Sequence, residues 1–196
     1  QIVHGIPSEK QILKEGSIIS IDCGLVLDGW QADSAFTMGV GEISAQAEAL
    51  IEITEQCFWK GARQAVAGNR LGDVGHAIQS WAESHGYGVI RDLTGHGIGR
   101  EMHEDPAVYN FGEPGHGLRL RKGRTIAIEP MISAGDWHIT GAAAAVPAPT
   151  SETPAATPIP AAATIAVRVT FRPRLEIARR REKVDIRTPS RTGKSS

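Results

Sequence analysis

The sequence predicts a fold of mixed α and β class, and three observations carry that expectation. Two runs of β-type residues, 18–22 and 26–38, flank the dipeptide Asp28-Gly29. Two stretches with apolar residues at helical spacing follow, at 45–67 and 74–84. Strand-like runs then return at 89–93 and 125–132. Helices and strands thus interleave along one chain, the pattern of a mixed domain.

Each element has a local cause. Asp-Gly between apolar stretches favours a type I′ turn, because both central residues of that turn need positive φ. A hairpin turning there sets Asp22 opposite Ala35, with Asp33 as its diagonal neighbour on the same face. In the first helical stretch Leu50, Ile51, Ile53, Thr54, Cys57, Phe58 and Gly61 form the apolar stripe, and Gly68-Asn69 ends it. The second closes at His85-Gly86. A Gly- and Pro-rich loop region is expected from 95 to 123.

The 196 residues, 41 % apolar and 22 % charged, suit one globular domain with or without a tail. The net charge of −1 conceals an asymmetry: 10 basic and 4 acidic residues lie from Gly141 onward, against 11 and 18 before it. Segment 141–163 is dominated by Ala, Pro and Thr, with Glu152 as its only charge and no persistent period, which suits a linker. Residues 164–171 are briefly strand-like, and the basic tail over 164–196 is expected to be disordered. The organisation expected is therefore a folded domain over 1–140, a linker over 141–163 and a tail over 164–196. With no aromatic beyond Phe171, that tail carries no sign of a specific nucleic-acid module. Cys23 and Cys57 are too few for a disulfide framework, so reduced thiols in a cytoplasmic protein are expected. No apolar run approaches the roughly 18 residues of a membrane span, and no basic-then-apolar leader opens the chain. Position 1 is Gln and the pattern is under way by His4, so the chain reads as truncated at its N-terminus.

Several side chains could carry chemistry. Asp22 and Asp33 on one sheet face repel each other unless a cation or proton lies between them. Taken alone, the pair reads equally as two solvated surface carboxylates. His96 lies in Gly95-His96-Gly97-Ile98-Gly99-Arg100, which matches neither a dinucleotide nor a Walker phosphate loop. Its glycines are expected to let backbone come close to whatever His96 binds, and His103 follows seven residues later. A packed or surface histidine remains the plain alternative. Glu129 in Ala-Ile-Glu-Pro-Met is a carboxylate in an apolar strand, where burial demands a partner or a metal. An exposed strand-end glutamate is the competing reading there.

Taken in order, His-Gly-Ile-Pro at His4, Ile-Asp at Asp22, Asp33 eleven residues on, Gly-His-Gly-Ile-Gly-Arg and Ile-Glu-Pro-Met resemble the type I methionine aminopeptidases. The resemblance covers residues 1 to about 139. The interval from His103 to Glu129 is too short for the large insertion typical of the type II enzymes. It implies the pita-bread α/β fold, with residues 1–140 as a partial catalytic domain. It also implies hydrolytic removal of the initiator methionine from nascent proteins. Asp22, Asp33, His96 and Glu129 would be metal ligands, with Asp33 bridging two divalent ions (Co, Mn, Fe or Zn). Glu129 would also be the general base for the attacking water, while His4 and His103 contact the scissile peptide. A cytoplasmic monomer working near the ribosome is the family expectation.

The chain departs from the family after Thr140. The last strand of the family carries Glu-His-Thr, whose glutamate is the fifth ligand. The nearest match here is Ala162-Ala163-Thr164-Ile165-Ala166-Val167, with alanine at that place. The Trp-containing hairpin that precedes it in the family is also missing, and Met102 stands where an aromatic is usual. A shift of reading frame or an unrelated fused exon accounts for a change in composition and charge at one point. The expected consequence is weak or mononuclear metal binding and very low peptidase activity, or an inactive module that binds peptides or protein partners.

Overall fold

The computed structural model describes residues 5–138, the isolated Val3, and the backbone of Arg168 and Val169. The elements are β1 (Ile18–Leu27), β2 (Trp30–Gly39), α1 (Ala45–Gln64), α2 (Leu71–Ser84), β3 (Gly88–Val89), β4 (Gly95–Gly97), β5 (Glu104–Val108), β6 (Ile126–Ala127), β7 (Ile132–Ser133) and β8 (Arg168–Val169). They form three small antiparallel sheets, ordered β1-β2-β8, β3-β7 and β5-β4-β6. The expectations for 141–163 and for the tail lie outside the described residues, apart from Arg168 and Val169.

The hairpin forms as its turn chemistry requires. Asp28 and Gly29 have φ of 51° and 73°, and Asp22 pairs with Ala35 while Asp33 pairs with Gly24. Helix α1 begins at Ser44, whose hydroxyl accepts from the Ala47 amide at 3.2 Å, the usual N-cap contact. It buries Ala47, Leu50, Thr54, Cys57, Phe58 and Gly61, a stripe at 3.6-residue spacing. The one polar member is satisfied inside the helix, since the Thr54 hydroxyl donates to the Leu50 carbonyl at 2.6 Å. Helix α2 starts at Leu71, three residues before the apolar pattern begins. The Asp73 carboxylate explains the extension, because it accepts from the Arg70 amide and the Gly115 amide, both at 2.7 Å. Those two backbone donors hold the Asp73 carboxyl below the usual carboxylate range.

The two helices pack on each other and over the short strands. Leu50, Cys57 and Phe58 of α1 join Val74, Ile78 and Ala82 of α2 in one cluster with Val89, Val108, Leu120, Ile126, Ile128 and Ile132. Burial pushes the Cys57 thiol up to about 12, so it behaves as a small apolar group.

The region 95–123 is not loop throughout, since β4 and β5 lie within it. The glycines beside His96 are required by close strand packing. A Cβ on Gly95 would lie 2.3 Å from the Ala127 carbonyl oxygen, and one on Gly97 would lie 2.3 Å from that of Asp105. The strand expected over 125–132 splits into β6 and β7. Pro130 has no amide hydrogen to donate, and the chain changes partner there from β4 to β3. The strand expected over 89–93 is reduced to Gly88–Val89.

Candidate metal centre

Three of the residues singled out from the sequence converge in the interior. Asp33 comes from β2, His96 from β4 and Glu129 from the link between β6 and β7. Asp33 is 2 % exposed, Glu129 3 % and His96 8 %. His96 Nε2 lies 3.1 Å from Glu129 Oε1 and 3.7 Å from Asp33 Oδ2. His96 Nδ1 lies 2.8 Å from the Gly97 carbonyl oxygen, an acceptor only, so Nδ1 carries the proton and donates it. In the neutral ring this turns the Nε2 lone pair towards the two carboxylates. Such crowding of acceptors is unfavourable unless a proton or cation lies among them.

That donor set fits a divalent ion. Metal-ligating histidines commonly donate the other ring N–H to a backbone carbonyl, which fixes tautomer and orientation. Donor atoms about 2.1 Å from one ion lie about 3.0–3.4 Å from each other; the His96–Glu129 separation of 3.1 Å falls in that range and the His96–Asp33 separation of 3.7 Å lies above it. As the side chains stand, no group of three or more His, Cys, Asp and Glu among the described residues is arranged to hold an ion.

The remaining expected residues are placed less tightly. Asp22 faces Ala35 as expected, on the sheet face that carries Asp33, but it is exposed. His103 is exposed, with its ring edge-on to His96 at 4.4 Å between centroids. It borders an open groove with Thr94, His96, Glu104, Asp105 and Ala107. His4 lies outside the described residues.

Two contributors had no role in the sequence reading. Arg100 donates from Nη1 to the Asp28 carbonyl at 3.0 Å, and its guanidinium lies 4.1 Å from the centre of the Trp30 ring. With the Gln31 amide donating to the Gly99 carbonyl at 2.8 Å, it clamps the hairpin tip to the loop that follows His96. Arg100 stood in the quoted glycine motif, but nothing there marked its partner, which lies 72 residues away. Asn110 is the second, fully buried, with its side-chain amide donating to the Glu129 carbonyl at 2.7 Å. Nothing in Ala-Val-Tyr-Asn-Phe-Gly marked it.

Two buried carboxylates thus meet one imidazole in the interior of the chain. The sequence pattern of metallopeptidase family M24 matches residues 1–168, and the chain belongs to that family. Over 139 residues it is 53 % identical to the methionine aminopeptidase of Clostridium acetobutylicum, covering 71 % of this chain and 56 % of that one. Over 139 residues it is 45 % identical to methionine aminopeptidase 1 of Bacillus subtilis, with the same two coverages. The crystal structure of the Thermotoga maritima methionine aminopeptidase superposes with a TM-score of 0.69 at 40 % identity, covering 86 % of this chain and 62 % of that one. The Pyrococcus horikoshii prolidase superposes with a TM-score of 0.63 at 25 % identity, over 85 % and 40 % of the two chains. The pita-bread α/β fold and the resemblance to type I methionine aminopeptidases are thereby borne out. The chain spans about half the length of the curated relatives it matches. Among the described residues no helix is long and apolar enough to cross a membrane.

Proposed function

We propose that this chain carries the site of a metal-dependent aminopeptidase that removes the initiator methionine from nascent proteins by hydrolysis. The observation that carries the proposal is the buried approach of Asp33 and Glu129 to one face of His96. Sequence kinship to proteins named methionine aminopeptidase supports the substrate class.

Asp22, Asp33, His96 and Glu129 would hold divalent ions, Co, Mn, Fe or Zn, and two ions when the set is complete. When bound, such ions supply an activated water and polarise the scissile carbonyl. The chain's own groups do the rest. Glu129, buried beside His96, takes the proton of the attacking water. His103, on the open groove, donates to the peptide at the reacting carbonyl, and His4 completes the substrate contacts. Residues 1–140 constitute the partial catalytic domain, followed by the linker over 141–163 and the tail over 164–196. Methionine-first nascent chains are the substrates, in the cytoplasm, with a monomer near the ribosome as the working form.

Alanine at 162 in place of the fifth ligand lowers the carboxylate count. We therefore assign this chain weak or single-ion binding and low turnover. The same substitution favours a second reading, an inactive pita-bread module that binds peptides or protein partners. A Met-Ala-Ser peptide assayed with Mn²⁺ or Co²⁺ separates the outcomes. Slow metal-dependent release of methionine, abolished by Glu129→Gln, supports the enzyme. Metal binding without release supports the inactive module. Turnover at the level of full-length relatives contradicts the assigned defect.

A further inference from the structure

Asn110 is fully buried, yet only part of its side chain is satisfied. Its Nδ2 donates to the Glu129 carbonyl at 2.7 Å, while its Oδ1 is buried with no hydrogen-bond partner among the described residues. A buried amide left half-satisfied is less favourable than an apolar residue of the same shape. Packing alone therefore gives no reason for asparagine at this position. The place where its one bond lands supplies the reason.

Glu129 sits where the chain changes partners. Ala127 pairs with His96 on β4, and Ile132 pairs with Val89 on β3. Between them Glu129-Pro130 runs outside either ladder, and Pro130 has no amide hydrogen with which to anchor the segment. Asn110 is itself held firmly from two sides. Val108, two residues before it, pairs with Gly95 next to His96. The carbonyls on either side of Asn110 rest on α2 at Gly75, where a Cβ would lie 2.8 Å from the Tyr109 oxygen and 2.3 Å from the Phe111 oxygen. One amide thus ties the Glu129 backbone to a segment fixed by both the His96 strand and helix α2.

We infer that Asn110 is the positioning residue for Glu129, setting the carboxylate against His96 Nε2 through a hydrogen bond to the Glu129 carbonyl. Its bond is to the Glu129 backbone, so its effect on the site is indirect. Its effect on metal affinity rests on the proposed metal site, whereas its effect on the Glu129–His96 contact does not.

The experiment uses the full chain with Asn110→Leu, which keeps the shape and removes the donor, and Glu129→Gln as the reference for a changed contact. Three quantities are read: the thermal unfolding midpoint, Mn²⁺ affinity by calorimetry, and the ring nitrogen resonances of His96 in the metal-free protein. The Leu variant is expected to unfold cooperatively near the parent midpoint and to lose Mn²⁺ affinity by about tenfold to a hundredfold. Its His96 resonances should move towards those of Glu129→Gln. A lowered midpoint with unchanged affinity and unchanged His96 resonances shows a merely structural residue and overturns the inference. If the parent chain binds no Mn²⁺, the metal reading fails, and the His96 resonances alone decide the role of Asn110. Should Asn110→Leu not fold, Asn110→Ser takes its place, with a smaller shift expected in the same direction and no shift overturning the inference.

Discussion

In the helical half, Leu50, Cys57, Val74, Ile78 and Ala82 are 0 % exposed, whereas on the hairpin Leu25, Leu27, Trp30, Phe36 and Met38 are 57, 68, 46, 50 and 47 % exposed. Both regions supply side chains to one site. These five hairpin residues share one face of the hairpin, and Asp33 and Ala35 are buried on the other, which also carries the exposed Asp22 and Val26. His96 and Glu129 thus stand on closely packed elements, while Asp22 and Asp33 stand on a hairpin with one open face. Besides the Gln31–Gly99 and Arg100–Asp28 bonds, Met102 closes on β1, with its Cε 2.6 Å from where a Gly24 Cβ would be. His96 lies nearer to Glu129 than to Asp33, and Asp22 is exposed at the margin. An ion shared between the two regions would then act as a staple, adding stability that rises with its concentration.

Core truncation should produce the largest contrast between the regions. Ile78→Ala is expected to cost about 2–5 kcal/mol in urea unfolding. Phe36→Ala on the open hairpin face should stay within about 0.5 kcal/mol. Similar losses at both sites would remove the distinction. Next in size is Gly75→Ala, where the new methyl meets backbone carbonyls that cannot rotate away. Overpacking of this kind costs about 1–3 kcal/mol by the same measurement. A neutral outcome would show that the segment around Asn110 is not pressed on α2.

Arg100→Ala tests the clamp itself. Losing one hydrogen bond and one exposed cation–π contact should lower global stability by about 1 kcal/mol. Amide exchange should quicken in β1 and β2 and remain unchanged in α2. Uniform acceleration would mean that the hairpin and the helices open together. The smallest effect concerns acid. Hydrogen bonds from the Arg70 and Gly115 amides lower the Asp73 pKa below its ordinary 3.8. The stabilisation is therefore present above that value and lost as pH falls through the lower folded value. Asp73→Asn should lower stability at neutral pH and leave it nearly unchanged at the acid end, so that the acid limb of an unfolding-versus-pH curve flattens, and an unaltered acid limb would contradict the assignment.

Local rules made much of this legible in the sequence. The Asp28-Gly29 turn sets the hairpin register residue by residue, so the pairing of Asp22 with Ala35 followed from chain chemistry alone. The α1 stripe was readable because its apolar spacing matches one helical face. Strands β4 and β5 were not readable, since Gly95, Gly97 and Pro106 are poor strand formers and only close packing against Ala127 and Asp105 makes them strands. The start of α2 was missed because the Gly115 donor to Asp73 lies 42 residues away. In the site, motif spacing singled out Asp33, His96 and Glu129, and the fold supplied their burial. Asn110 and Arg100 act through backbone carbonyls far along the chain, a kind of contact that leaves no sequence signature.

The proposed metal centre joins Asp33 on the hairpin to His96 and Glu129 on the packed core. Calorimetric titration of the metal-free chain with Mn²⁺, beside His96→Ala, tests it most directly. Saturable binding in the parent chain, lost in His96→Ala while that variant remains folded, is the expected result. No saturable heat in the parent chain, or equal binding in both proteins, would contradict it.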